Sequence, residues 1–259
     1  MEFTLDEMRE HLAALEARID DACKIAGRSR ESVKLVWVSK FHPAEAVVNA
    51  ISLGATDFGE NRVQEAELKF SEPRTALDGS RVRCHVIGPV QSNKLKKAAL
   101  VADCIHSIAS IEAVEKLEKV CAAAANGQGK VLDILFQVNA GEEETKSGLD
   151  VHEAEAFLED LEKRAGAAAD GKSENFPHLR FRGLMTIGKN TGVAEDSREC
   201  FAFLRRLRDK FLARGGAFAS FDQLSMGMTL DLEVAIEEGS TMIRVGTALF
   251  GERDYSKQL

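Results

Sequence analysis

Val33-Lys34-Leu35-Val36-Trp37-Val38-Ser39-Lys40 is an apolar run that closes on a lysine. Its β-branched and aromatic content reads as a strand buried on both faces. Pro43 follows three residues later and a helical pattern runs from Ala44 to Leu53, so Lys40 stands where a strand hands over to a helix. Barrels built of βα units present their reactive groups from that position. An amine at the mouth of an apolar barrel has its charged form disfavoured by desolvation, which leaves more of the neutral nucleophile that an aldehyde requires. A solvated lysine after a strand is the plain alternative.

Outward from this stretch the alternation continues. A helix over Phe3–Ala26, with Gly27 as its C-cap, precedes the run and is expected to cover one end of the fold. Strands are expected at Ala55–Glu60, Val82–Ile87, Cys104–Ile108, Val131–Val138, Arg180–Ile187, Gln223–Ser225 and Thr241–Val245. Helices are expected at Arg62–Phe70, Asn93–Leu100, Ile111–Ala125, Val151–Arg164, Ala194–Ala213 and Leu230–Glu238, with a polar loop over Ala167–Asn175. Alternating βα units imply a parallel sheet, and eight of them in 259 residues match a closed α/β barrel of the (β/α)8 TIM type. The open doubly wound sheet is weakened by the missing glycine-rich dinucleotide fingerprint after the first strand. No linker interrupts the pattern, so residues 1–259 read as one domain, with residues 1–28 as the covering helix.

The totals narrow the function. A net charge of −8 argues against nucleic-acid binding, because phosphate contacts need a basic face. No apolar run has the length of a membrane span and no signal-peptide core is visible, so a cytoplasmic protein is expected. Five cysteines, an odd number without a close pair, read as reduced buried thiols. The six histidines show no HxxxH or HxH pairing, so no metal site is expected.

In a barrel the strand-end residues converge on one mouth. They are Lys40, Glu60-Asn61-Arg62, His85 with Gly88, Asn139, Met185-Thr186, Ser225 to Met228, and Arg244 to Thr247. Phosphate sites of such barrels are often built from the loops after strands seven and eight, where glycines let the backbone approach the anion. Ser225-Met226-Gly227-Met228-Thr229 and Gly246-Thr247 fall there, facing the strand-one lysine. A phosphate anchor opposite an amine suggests pyridoxal 5′-phosphate held as a Schiff base, with a Schiff-base aldolase as the competing class. Arg244 favours the former, since its guanidinium can donate to a pyridine nitrogen and cannot act as a base. A salt bridge from Arg244 to Glu237, Glu238 or Glu60 is the bland reading.

Seven motifs then carry a resemblance, in order from about residue 30 to 254. They are Lys34–Lys40, Asp57–Glu65, His85–Gly88, Gln91–Lys94, Gly183–Ile187, Leu224–Met228, and Glu233–Thr241 through Phe250–Arg253. The chain resembles the YggS/PROSC family of pyridoxal phosphate homeostasis proteins. The resemblance implies a fold-type III barrel like the N-terminal domain of alanine racemase, with pyridoxal phosphate on Lys40. It further implies that Ser225, Gly227, Gly246 and Thr247 hold the phosphate, that Arg244 faces the pyridine nitrogen, and that Asn61, His85 and Met185 line the ring. The family often has other residues at Trp37, Phe41, Cys84 and Pro89.

A strong carbanion sink needs a protonated pyridine nitrogen, normally supported by a carboxylate, which Arg244 cannot supply. Racemisation needs a second base on the opposite ring face. Racemases take it from a tyrosine of a second domain, and the one tyrosine here, Tyr255, stands in the tail. The expected function is therefore an intracellular carrier of pyridoxal phosphate with little or no turnover and no catalytic residue, a slow amino-acid racemase being the alternative. Its expected partners are the cofactor and pyridoxal phosphate-dependent apoenzymes, and a monomer is expected. Glu142–Thr145 and Ala167–Asn175 are candidate lids.

Overall fold

The computed structural model describes residues 4–72, 75–77, 79–124, 129–143, 146–166, 168–169 and 171–251. Eight strands form its centre: β1 (Lys34–Val38), β2 (Asp57–Glu60), β3 (Arg83–Val86), β4 (Cys104–Ile108), β5 (Leu132–Asn139), β6 (Leu179–Met185), β7 (Gln223–Ser225) and β8 (Met242–Val245). Each pairs in parallel with its neighbour in sequence, and β8 pairs back onto β1 with Val36 opposite Arg244, so the sheet closes into a barrel. Between and around them lie α1 (Leu5–Ile25), α2 (Ala44–Ser52), α3 (Val63–Phe70), α4 (Leu95–Val101), α5 (Ile111–Ala123), α6 (Ala154–Ala165), α7 (Arg198–Leu212), α8 (Leu232–Glu237) and α9 (Thr247–Phe250). The expected (β/α)8 order is the observed one, with element ends moved by a few residues.

Period-two alternation divides every strand between two environments. Trp37, Phe58, Val86, Ile134, Phe136 and Ile243 point outward and join one continuous apolar layer with the helices. The alternate positions point into the lumen, where Cys104, Leu135 and Met185 form a separate small apolar cluster. Polar groups fill much of the remaining lumen: Asp57, His85, His106, Ser225 and Arg244 are all buried.

Three expectations on organisation change. The first helix does not lie over an end of the barrel. It runs along the outer wall beside α8, where Arg18 pairs with Glu233 near the start of α8 and Arg28 donates to the Ile236 carbonyl near its finish. The ring position beside α8 is open to it because β8 is followed only by the four-residue α9, which the sequence pattern did not suggest. Thr4 and Glu7 form a reciprocal capping box at its start. The Ala167–Asn175 stretch is not a plain loop: Ala168–Ala169 pairs antiparallel with Lys172–Ser173. It leads into the start of β6, so it lies on the face opposite the mouth and cannot close over it. Phe3, part of the Glu142–Thr145 segment, the end of the expected Ile111–Ala125 helix, Ala167 and Asp170, and Glu252, Arg253 and Tyr255 lie outside the described residues.

Candidate functional site

Ser39 and Phe41, which flank Lys40, are both tied down from α3. Lys69 donates to the Ser39 carbonyl (2.7 Å) and to Glu60 Oε1 (2.8 Å), and the Ser39 hydroxyl donates to the same carboxylate oxygen. The Phe41 N–H donates to Glu65 Oε2 at 2.7 Å. Phe41 itself sits at φ 66°, a left-handed conformation that a bulky residue adopts only when its surroundings impose it. Its ring lies under the Arg62 guanidinium, 5.3 Å from ring centre to carbon, and lines a second cavity on the far side of this turn. The departure from the family pattern at Phe41 thus falls outside the mouth, whereas Pro89 lines it.

A cavity of about 310 Å³ opens at the C-terminal ends of the strands, near the lower limit of small-ligand pockets (roughly 300–1,000 Å³). Of the nine residues expected to hold the cofactor, Lys40, Asn61, Met185, Arg244, Gly246 and Thr247 line it. Asn61 is brought there by a close approach: a Cβ on Gly88 would lie 2.4 Å from the Asn61 carbonyl oxygen, so only glycine fits that turn.

The other three do not line it. Gly227 sits behind the wall at φ 93°, where a Cβ would lie 2.5 Å from the Ala235 Cβ. Its carbonyl accepts the Arg244 N–H, and its turn presents Met228 and Thr229 to the cavity instead. Ser225 lies one layer below the cavity and accepts from Arg244 Nη1 at 2.8 Å. His85, expected beside the ring, is 1% exposed inside the lumen, with Nε2 on Asp57 (2.9 Å) and Nδ1 on His106 Nε2 (2.9 Å). The reason is register: His85 lies opposite Cys104, the first residue of β4, which runs four residues further toward the mouth. Ile87, two residues on, takes the place at the cavity.

Arg244 has none of the salt bridges that the bland reading offered. Glu237 pairs with Arg198, Glu238 with Arg198 and Arg205, and Glu60 with Lys69. Arg244 donates to the Ser225 hydroxyl and to the Thr186 carbonyl (2.9 Å), and no carboxylate of the described residues comes within ion-pair distance. Burial pushes its pKa down to about 10, leaving it cationic at neutral pH. A guanidinium carries five N–H donors, so a buried cation with two protein acceptors presents unmatched donor capacity to the cavity it lines.

Sequence reading passed over Gln137, Lys146 and Ser147. Lys146 reaches the cavity because its ammonium donates to the Gly188 carbonyl (2.6 Å) and pairs with Glu143. Gln137 Nε2 holds the Ser147 carbonyl at 2.6 Å. The signal was weak, a lysine and a serine in a polar turn after β5. His106 was passed over as well. The lumen brings His85, Cys104 and His106 together with one ligand atom each within 4.8 Å. Hydrogen bonds already engage both nitrogens of each ring. Asn139, counted among the strand-end residues, turns to the Glu143 carbonyl.

A lysine on strand one, an arginine on strand eight and glycine turns around a single barrel define a class. Consistent with it, residues 11–254 match the family model described as "Alanine racemase, N-terminal domain". The chain is 39% identical over 248 residues to the pyridoxal phosphate homeostasis protein of Vibrio alginolyticus, covering 95% of this chain and 97% of that one. Among solved structures, PipY of Synechococcus elongatus PCC7942 with PLP bound is similar at TM-score 0.73 and 32% identity, over 94% of this chain and all of that one. A protein of unknown role from Bifidobacterium adolescentis is similar at TM-score 0.81 and 33% identity, over 95% of both chains. The chain belongs to the family of pyridoxal phosphate homeostasis proteins.

Proposed function

We propose that the cavity binds pyridoxal 5′-phosphate and that the chain serves intracellular pyridoxal phosphate homeostasis with little turnover. One observation carries the reading: Lys40, Arg244 and the Gly246-Thr247 turn line a single cavity of about 310 Å³. The donor set fits the group. An amine lines the cavity where an aldehyde would react, a cation with unmatched donors on the neighbouring strand lines it too, and the backbone closes in at the Gly88 and Gly246 turns. When bound, the cofactor supplies an electron sink. Arg244, fixed by Ser225 and Thr186, would donate toward the pyridine nitrogen and disfavour its protonation, which would weaken that sink. The Gly246-Thr247 turn supplies N–H and hydroxyl donors for the phosphate, with Met228 and Thr229 beside it. Asn61 and Met185 border the ring. Ser225 seats Arg244, and Gly227 shapes the turn that presents Met228 and Thr229.

Besides Lys40, the described residues lining the cavity offer no base but Lys146, whose ammonium is held by Glu143 and the Gly188 carbonyl, and this supports a carrier over a racemase. Delivery to apoenzymes, a cytoplasmic location and a monomeric state belong to the same reading. No helix among the described residues is long and apolar enough to cross a membrane. Pyridoxal phosphate added to the purified protein is expected to raise a visible absorption band that borohydride fixes onto Lys40 and that Lys40→Ala loses. A protein that stays colourless overturns the proposal. Exchange of the α-hydrogen of L-alanine in deuterated water at an enzyme-like rate would favour the racemase.

A further inference from the structure

A single file of buried hydrogen bonds crosses the barrel from its lower end to Arg244. Arg244 Nη1 donates to Ser225 Oγ (2.8 Å), and Ser225 Oγ meets His106 Nδ1 (2.9 Å). His106 Nε2 meets His85 Nδ1 (2.9 Å), and His85 Nε2 meets Asp57 Oδ1 (2.9 Å). Four strands contribute to it, β8, β7, β4 and β3, and β2 supplies the last carboxylate. His106, His85 and Ser225 are at most 1% exposed.

Both ends of this file have fixed polarity. A guanidinium can only donate, and an ionised carboxylate can only accept. Asp57 is ionised: burial alone would raise its pKa, but the hydrogen bonds it accepts from His85 and Thr56, with the Lys34 ammonium beside it, hold it well below the usual carboxylate range. His85 must then donate from Nε2. With His85 neutral, its Nδ1 accepts, so His106 carries its proton on Nε2. The His106 Nδ1 accepts in turn, and the Ser225 hydroxyl donates to it while accepting from Arg244. Every proton and every lone pair that the file needs is then matched. An additional proton on the pair would reverse this order and leave the Ser225 hydroxyl hydrogen without an acceptor among the described residues. Burial also holds His106 well below the ordinary imidazole range, with the neighbouring charges of Arg244 and Arg83 adding to that effect.

We infer that His106 is a positioning residue for Arg244: Asp57 and His85 fix its tautomer, its Nδ1 orients the Ser225 hydroxyl, and Ser225 seats the guanidinium against the ligand ring. The inference rests on the pyridoxal phosphate reading only in its last step. The tautomers are a property of the cofactor-free chain. Because all the bonds point the same way, each polarises the next.

Nitrogen-15 NMR of histidine-labelled, cofactor-free protein is expected to show His85 and His106 both neutral and both protonated on Nε2 at neutral pH. A proton on His106 Nδ1, or an imidazolium at either ring, overturns the inference whether or not the protein binds pyridoxal phosphate. In the loaded protein, His106→Asn keeps an acceptor for the Ser225 hydroxyl, whereas His106→Leu removes it. His106→Leu is expected to shift the visible band and to weaken cofactor uptake roughly tenfold, the scale of a lost bond to a charged partner. His106→Asn is expected to restore both most of the way. Equal behaviour of the two variants overturns the positioning role. Should His106→Leu fail to fold, the tautomers of the unaltered chain still decide the matter. A parent protein that takes up no cofactor but shows these tautomers refutes the binding reading and leaves the file intact.

Discussion

The layer outside the barrel and the lumen inside it are built from the same eight strands, yet on opposite physical terms. Outside, residues such as Phe136 pack against Phe157, Phe181 and Phe221 in an aromatic cluster continuous with the rest of the apolar core. Burial of apolar area stabilises this layer, and the charges buried within it, such as Glu60 and Lys69, are paired with each other. Inside, an apolar cluster of Cys104, Leu135 and Met185 shares the space with a file of polar groups that ends on a buried guanidinium. The difference teaches that stability and ligand binding are assigned to different faces of one sheet. Alternate residues of a strand can therefore change without disturbing each other's task.

That contrast can be broken or sharpened by substitution. Phe136→Ala is expected to lower the unfolding free energy by about 3–5 kcal/mol, through lost transfer energy and the cavity left behind. Its pyridoxal phosphate uptake per folded molecule should be unchanged. Denaturant melts and a cofactor titration check the two halves, and a large loss of uptake would mean that the faces are coupled. Asp57→Asn comes next. The folded-state pKa of Asp57 is depressed, so its contribution is fully present above about pH 4 and fades as the pH falls further. The variant should lose of order 2 kcal/mol at pH 7 and show a flatter stability profile than the parent between pH 5 and 2.

Glu60 tests the opposite sign, directly beneath the strand-one lysine. Burial raises its pKa to about 7, with Lys69 and Ser39 pulling the other way, and its Oε2 has no hydrogen-bond partner among the described residues. The folded state thus holds this proton more tightly than the unfolded chain does. Stability is expected to fall as the pH rises from about 4.5 to 7, by of order 1–2 kcal/mol. Glu60→Gln should remove that slope in urea melts across the interval, and an unchanged slope would show that Lys69 keeps the carboxylate ionised throughout. The smallest effect belongs to neither face. Arg9 and Asp6 form an exposed pair on α1, and Arg9→Ala is expected to change the melting free energy by less than about 0.5 kcal/mol.

The outer layer was largely legible in the chain. Apolar runs such as Leu132–Val138 and the helical stripe of α1 announce their elements through periodicity, which is a local property. The strand-end lysine and the glycine turns were legible too, since a strand that ends on Lys40 before Pro43 can be read without knowing its neighbours. His85 shows where such reading stops. Its position near a strand end suggested the mouth, but the depth of a residue in a barrel depends on the stagger between strands, which no single strand encodes. His106 gave no local sign at all, because it lies 119 residues from Ser225 and 21 from His85. The helix α1 was recognised but misplaced, since the vacancy it fills exists only because β8 is followed by so short a helix.

By itself, then, the amino-acid order determined the alternation of strands and helices, the eightfold count, and the amine and cation offered at the ends of strands one and eight. These follow from hydrophobic period and turn chemistry over a dozen residues at a time. Only closure of the sheet decided which groups meet in the lumen, which way the protons of the two imidazoles point, and that Ser225 and Gly227 stand behind the cavity wall. Those outcomes depend on distances between residues far apart in the chain, and such distances exist only once the barrel has formed.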